Sequence, residues 1–305
     1  MIERAVQFGT DATLAGVVCE PDAGHARAGA PAIILINSGI LHKVGSCRMY
    51  VRLARAYAEA GFVCLRFDLS GLGDSDVRRD ARAFEESSVL ETRDAMDYLQ
   101  RVRGIDGFLL AGLCSGADVS HMTALEDTRV LGIASIDART HLTPRFWFHN
   151  YAPKLLRPTA WKRWWSHRFG AARRARMEAN AAQLPDEAAF EMPTYVRVIP
   201  PRDLLARELT TLVQRRVRLL YLFTDGLDFY NHEGQHRRAF HDVPFGTLMQ
   251  ECHLRGSDHI VTDLAMQQRV LDMHVQWAIA SVSESGAVES RSVDDHRLAA
   301  AHGAN

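Results

Sequence analysis

With 305 residues, 47% of them hydrophobic and 24% charged, the chain can bury a large core, which excludes a disordered, collagen-like or small disulfide-stapled protein. The 36 Lys and Arg nearly balance the 37 Asp and Glu, so the whole molecule is neither a basic nucleic-acid binder nor an acidic tail. The N-terminus lacks a basic region followed by an apolar one and no apolar run is long enough to span a bilayer, so a soluble, cytoplasmic chain is expected.

In chain order, Ala5 to Gly9 and Leu14 to Cys19 read as an antiparallel hairpin around the polar turn at Thr10 and Asp11. A strand at Ala32 to Ile36, a helix at Arg48 to Ala60 and a strand at Phe62 to Phe67 then give the βαβ pattern of a parallel sheet. The alternation continues with a helix from about Ser88 to Val102, strand Phe108 to Ala111, a helix from Ser115 to Leu125 and strand Val130 to Ile136. After Asp137 the pattern breaks, and it resumes with strand Val217 to Phe223, a helix near Glu233 to His241, strand Thr247 to Cys252 and a closing helix from Leu264 to Ser281. The expected architecture is an α/β core over 1–137 and 213–281, a helical cap insertion over 138–212, and a frayed tail over 282–305.

The five cysteines are an odd number without a CxxC pair, so neither a disulfide framework nor a zinc site is expected, and a reducing compartment fits. One thiol stands out. In Phe108-Leu109-Leu110-Ala111-Gly112-Leu113-Cys114-Ser115-Gly116, an apolar strand runs through small residues into a helix, the pattern of a nucleophile elbow. The positions two before and two after the nucleophile must be small; Gly112 and Gly116 meet that demand around Cys114, whereas Ser115 would have Leu113 and Ala117 there. Cys114 is therefore the expected nucleophile, against the plainer reading of a small thiol buried in an α/β turn.

With these motifs in this order, the chain resembles the α/β-hydrolase superfamily over almost its whole length. The resemblance implies that Asn37-Ser38-Gly39-Ile40 is the oxyanion loop, with the backbone N–H groups of Ile40 and Ser115 as donors. Asp68-Leu69-Ser70-Gly71-Leu72-Gly73-Asp74-Ser75 resembles a structural turn of the family, with no catalytic part. More closely, Val44 to Arg48, the following helix to Gly61, Arg66-Phe67-Asp68 and Gly112-Leu113-Cys114 look like the exosortase-A-system-associated hydrolases and related hydrolases of biosynthetic clusters.

The superfamily places its acid after the next-to-last strand and its histidine after the last. In Thr224-Asp225-Gly226-Leu227-Asp228, Asp228 matches the acid position and is preferred over Asp225; in Asp258-His259-Ile260-Val261-Thr262, His259 is the implied base and Thr262 the cap of the last helix. The chain has 14 histidines, and His253, inside the last strand, reads as packing. A Cys114, His259, Asp228 triad implies acyl transfer on an ester, lactone or thioester, by hydrolysis or by transfer to another acceptor, with no metal or organic cofactor; a non-catalytic scaffold is the rival from another class.

Between Arg139 and Arg176 lie ten Lys or Arg and no Asp or Glu, interleaved with Trp147, Trp161, Trp164 and Trp165. One reading is a lid whose aromatics cover a small acyl substrate and whose cations face water. The other is a surface for something anionic: the phosphopantetheine arm of an acyl carrier protein, an anionic substrate, or, as a lesser expectation, peripheral contact with membrane head groups. No nucleic-acid-binding module is recognisable.

Overall fold

Strands buried on both faces must be apolar at every position, and β3 (Ala32–Ile36) and β5 (Phe108–Leu113) are fully buried throughout. Their side chains alternate between two cores: Ile34 and Ile36 of β3 enter one, Ile33 and Leu35 the other. The computed structural model describes residues 1–155 and 197–282.

Eight strands form one sheet, in the order β1 (Ile2–Phe8), β2 (Leu14–Glu20), β4 (Cys64–Phe67), β3, β5, β6 (Val130–Ile136), β7 (Arg218–Thr224), β8 (Met249–Leu254). β1 pairs with β2 and β2 with β4 in antiparallel fashion, and every other pairing is parallel. The hairpin register runs from Ile2 opposite Glu20 to Phe8 opposite Leu14. The mostly parallel α/β sheet expected from the alternating pattern is therefore present.

Helices cover both faces. On one side α1 (Met49–Glu59) packs Leu53, Ala54 and Tyr57 into the same core as Val270, Leu271 and Trp277 of the closing helix over 264–282. On the other, α2 (Phe84–Arg103) contributes Ala95, Met96 and Leu99, and α3 (Ser115–Glu126) contributes Ala117 and Val119. α2 begins a turn before the position read from sequence. Its first turn carries Glu85 and Glu86, favoured there by the helix dipole, while Ser87 and Ser88 bond back to the carbonyls of Phe84 and Glu85, so apolar periodicity cannot report it.

Beyond β6 come α4 (Pro144–Leu155), α5 (Arg202–Gln214) and the short α6 (Gln235–Ala239). Leu205, Leu209 and Leu212 bury α5 in the core that α3 occupies, so the end of the segment read as a cap packs as a layer of the core. Residues 156–196 of that segment and 283–305 of the tail lie outside the described residues.

The order of strands locates the site. From β3 the chain crosses to β4 on one side, and β5 then returns to the other side of β3, so the loops leaving the carboxyl ends of β3 and β5 diverge and leave a crevice between them. Those two loops carry Asn37 to Leu41 and Cys114.

Candidate active site

Cys114 sits between β5 and α3 at φ +54° and ψ −111°, a backbone conformation that L-residues rarely adopt. Close approach holds it there. A Cβ on Gly112 would lie 2.2 Å from the carbonyl carbon of Gly116, and one on Gly116 would lie 2.6 Å from the carbonyl oxygens of Ile36 and Asn37. The Cys114 N–H donates to Ile136 O at 2.9 Å, tying the turn to β6.

Beneath the elbow, the buried Tyr50 hydroxyl donates to Ile36 O and accepts the Leu113 N–H, both at 3.0 Å, stitching β3 to β5. Burial pushes its ionisation far above the ordinary range, so it stays neutral. Tyr50→Phe would strand a buried donor and a buried acceptor; a loss of about 1–3 kcal/mol in the urea midpoint analysis is expected.

His259 follows β8, and its Nδ1 lies 2.6 Å from Oδ2 of Asp137. Cys114 is the other side chain that acts on this imidazole. The Asp137 hydrogen bond, then Cys114, outweigh partial burial and push the imidazole up to about 10 from an ordinary 6.5. Asp137 is the first residue past β6, wholly buried at φ +56°, and its carboxylate accepts the Thr224 N–H and the Thr224 hydroxyl, each at 2.7 Å.

Asp137 stands where the sequence reading puts Asp228. Asp228 is exposed and no hydrogen bond or ion pair links it to His259, so Asp228 as the histidine's partner is corrected to Asp137. The loop after β7 is occupied otherwise. A Cβ on Gly226 would lie 2.3 Å from the His259 nitrogen, so this loop supports the histidine by backbone contact. Asp225 accepts from Gly256 N at 2.6 Å and pairs with His253 Nε2 at 2.7 Å, anchoring the start of the histidine loop. The sequence signal for Asp137 was its place at the carboxyl end of a buried strand, where sites in open α/β sheets gather.

Ser115, at the first position of α3, is buried, and its hydroxyl accepts the Gly39 N–H at 2.6 Å. Its own N–H is one of the helix's unpaired first donors. Among the described residues the Ile40 N–H has no hydrogen-bond partner, and Ile40 is 88% exposed. Asn37, Asp68 and Lys43 fix the loop from behind: Asn37 donates to Leu41 O at 2.7 Å and accepts the Leu69 N–H at 2.8 Å, and Lys43 bridges Asp68 and Asp74.

Other expectations fare differently. Thr262 does not cap the closing helix: its N–H and hydroxyl bond Asp258, while Asp263 caps it by accepting the Met266 N–H at 2.8 Å. Arg139, counted among the ten cations, is largely buried, with Nε 3.2 Å from Asp118. Trp147 on α4 is 48% exposed, whereas Trp161, Trp164 and Trp165 lie outside the described residues. Among the described residues no cluster of three His, Cys, Asp or Glu could hold a metal, and no helix is long and apolar enough to cross a membrane.

A family model described as alpha/beta hydrolase fold matches residues 31–185. The chain belongs to the α/β-hydrolase family. The matched stretch includes β3 to β6, the elbow and Asp137. Solved structures similar to this α/β hydrolase include the hydrolase GrgF from Penicillium sp. sh18, at 16% identity and TM-score 0.56 over 93% of this chain and 100% of that one. An esterase domain of a Rhodothermus marinus protein matches at 17% identity and TM-score 0.54, over 91% and 98% of the two chains. An alpha-beta serine hydrolase homologue from Coxiella burnetii matches at 13% and 0.54, over 90% and 96%. At such identities the likeness is one of fold. None of the curated proteins matches the chain in sequence.

Proposed function

We propose that the protein is an acyl-transfer enzyme with a Cys114, His259, Asp137 triad, acting on an ester, lactone or thioester. One observation carries this: the imidazole bonded to the buried Asp137 carboxylate is also acted on by Cys114, the residue at the strained elbow between β5 and α3. Where the Coxiella burnetii relative is described as a serine hydrolase homologue, the elbow here presents a thiol, and the neighbouring Ser115 hydroxyl is engaged by Gly39.

The chemistry follows from charge. Asp137 holds His259 towards its protonated form, and a cysteine at a helix N-terminus beside such a histidine is the arrangement that activates sulfur as a nucleophile. Thiolate sulfur attacks the acyl carbonyl, and the oxyanion that forms meets the N–H groups of Ser115 and Ile40, each such donor worth about 3–4 kcal/mol. As the tetrahedral adduct collapses, His259 gives its proton to the leaving alcohol or thiol, leaving an acyl group on Cys114. Water or another acceptor then loses a proton to His259 and attacks, which regenerates the thiolate and imidazolium.

A thiol nucleophile favours activated acyl groups, because exchange between a thioester and a thiol is nearly thermoneutral. This agrees with the resemblance to hydrolases of biosynthetic clusters and puts thioesters first. A panel of acyl thioesters, esters and amides tests it: thioesters and activated esters should turn over, amides should not, and iodoacetamide on Cys114 should stop turnover. Turnover that survives complete alkylation of Cys114 would refute the reading.

The partner belongs to the same proposal and rests on sequence: the cations from Arg145 to Arg176 are suited to an anionic, carrier-presented acyl group. Screening acts over about 10 Å at 0.1 M salt. Salt should therefore raise KM for a carrier-bound substrate far more than it lowers kcat, and neutralising Arg173, Arg174 and Arg176 together should mimic salt yet spare a small neutral ester. These three arginines lie outside the described residues.

A further inference from the structure

Asp118 lies one helical turn beyond Cys114 on α3 and is 2% exposed. Its two carboxylate oxygens are gripped by the Nε and Nη2 of Arg197, each at 2.7 Å, a forked pairing that only a guanidinium can make. The third guanidinium nitrogen, Nη1, donates to the backbone carbonyl of Asp137 at 2.8 Å. A single mostly buried side chain thus joins the helix that carries Cys114 to the turn that carries the carboxylate bound to His259.

Asp137 needs such a hold. A non-glycine residue at φ +56° is strained, and strain of this kind, of order 1–3 kcal/mol, persists only where the surroundings enforce it. Its N–H is fixed by Leu222 O at 2.8 Å and its carboxylate by Thr224, both from β7. Among the described residues, Arg197 is the side chain that fixes its carbonyl, and the one that refers its position to the nucleophile helix rather than to the sheet.

We infer that Arg197, set by Asp118, is a positioning residue for the triad acid: it holds the Asp137 turn so that the carboxylate stays on His259 while His259 stays on Cys114. This rests on the acyl-transfer reading. Arg197 acts through Asp118 and the Asp137 carbonyl. Among the groups facing it are Asp118 on α3, the Asp137 carbonyl after β6 and, across Asp118, the cation of Arg139. The ionisable groups acting on His259 are Asp137 and Cys114.

The test needs no known substrate, because the rate at which iodoacetamide alkylates Cys114, read by peptide mass mapping across pH, reports whether His259 is kept on Cys114. In Arg197→Ala the carboxylate is no longer held in line and His259 is no longer kept on Cys114, so alkylation at pH 6 should slow about tenfold. Added methylguanidinium should restore the rate, methylammonium should not, and Arg197→Lys should remain slow for want of the fork. A double variant, Asp118→Leu with Arg197→Met, guards against simple unfolding, since an apolar replacement of a buried ion pair is often neutral in stability. The inference expects the double variant to keep the wild-type Tm and the slow alkylation.

An alkylation profile in Arg197→Ala that coincides with the wild type would overturn it, as would a double variant that recovers Tm and alkylation together. Failure of the wild-type protein to turn over any acyl compound would refute the acyl-transfer reading instead, while the alkylation profile would still decide the role of Arg197.

Discussion

Cys114→Ala is expected to leave a folded protein with kcat lowered by at least about 10⁴-fold, because the residue supplies the atom that forms the acyl bond. Cys114→Ser keeps an oxygen nucleophile at the same elbow. It should hold on to some ester turnover but lose thioester turnover more steeply, since a serine hydroxyl is a far weaker acid than a thiol and a poorer partner for acyl exchange with sulfur. The elbow glycines set the geometry for either atom, so the comparison isolates the chemistry of sulfur from that of position. Steady-state kinetics on one matched ester and thioester, with circular dichroism as the folding control, measure it. Wild-type rates in Cys114→Ala would dismiss the nucleophile.

The second large effect separates two carboxylates. Asp137→Asn should lower kcat by about 10⁴-fold, as the loss of an orienting carboxylate does when a histidine is left in the wrong tautomer. Asp228→Asn, on an exposed side chain with no link to His259, should change kcat by less than about twofold. A pH signature accompanies the loss. The folded value of His259, about 10, lies above its ordinary 6.5, so the pairing stabilises the fold fully below about pH 6.5 and that contribution fades as pH rises through about 10. Wild-type Tm should therefore fall towards that of Asp137→Asn across this window, and the two should differ most at its acid end. If Asp228→Asn were the crippling change, the assignment of the acid would be wrong.

The parts of this molecule that sequence reveals are those where one residue pattern has one physical meaning. β3 was legible to the residue because a strand covered on both faces demands uninterrupted apolar side chains. The elbow turn at Cys114 was legible because two glycines at fixed spacing answer a steric demand made by neighbouring backbone, which the close approaches at Gly112 and Gly116 display. The acid was not, since β6 and β7 end alike, Ile136-Asp137 and Thr224-Asp225, and nothing in either string tells which turn points its carboxylate at the histidine. That choice is made in three dimensions by the left-handed turn at Asp137 and by Gly226 lying under His259. The Asp118 and Arg197 pair was hidden for the same reason: 79 residues separate two charges that elsewhere would read as solvated surface.

Trapping the acyl-enzyme tests the central claim most directly. Mixed briefly with an acyl thioester and quenched in acid, the wild-type protein should gain the mass of one acyl group, which peptide mapping should place on Cys114 and hydroxylamine should remove. His259→Ala should acylate far more slowly, and Cys114→Ala not at all. An acyl group mapped to Ser115, or turnover with the label absent from Cys114, would contradict the account.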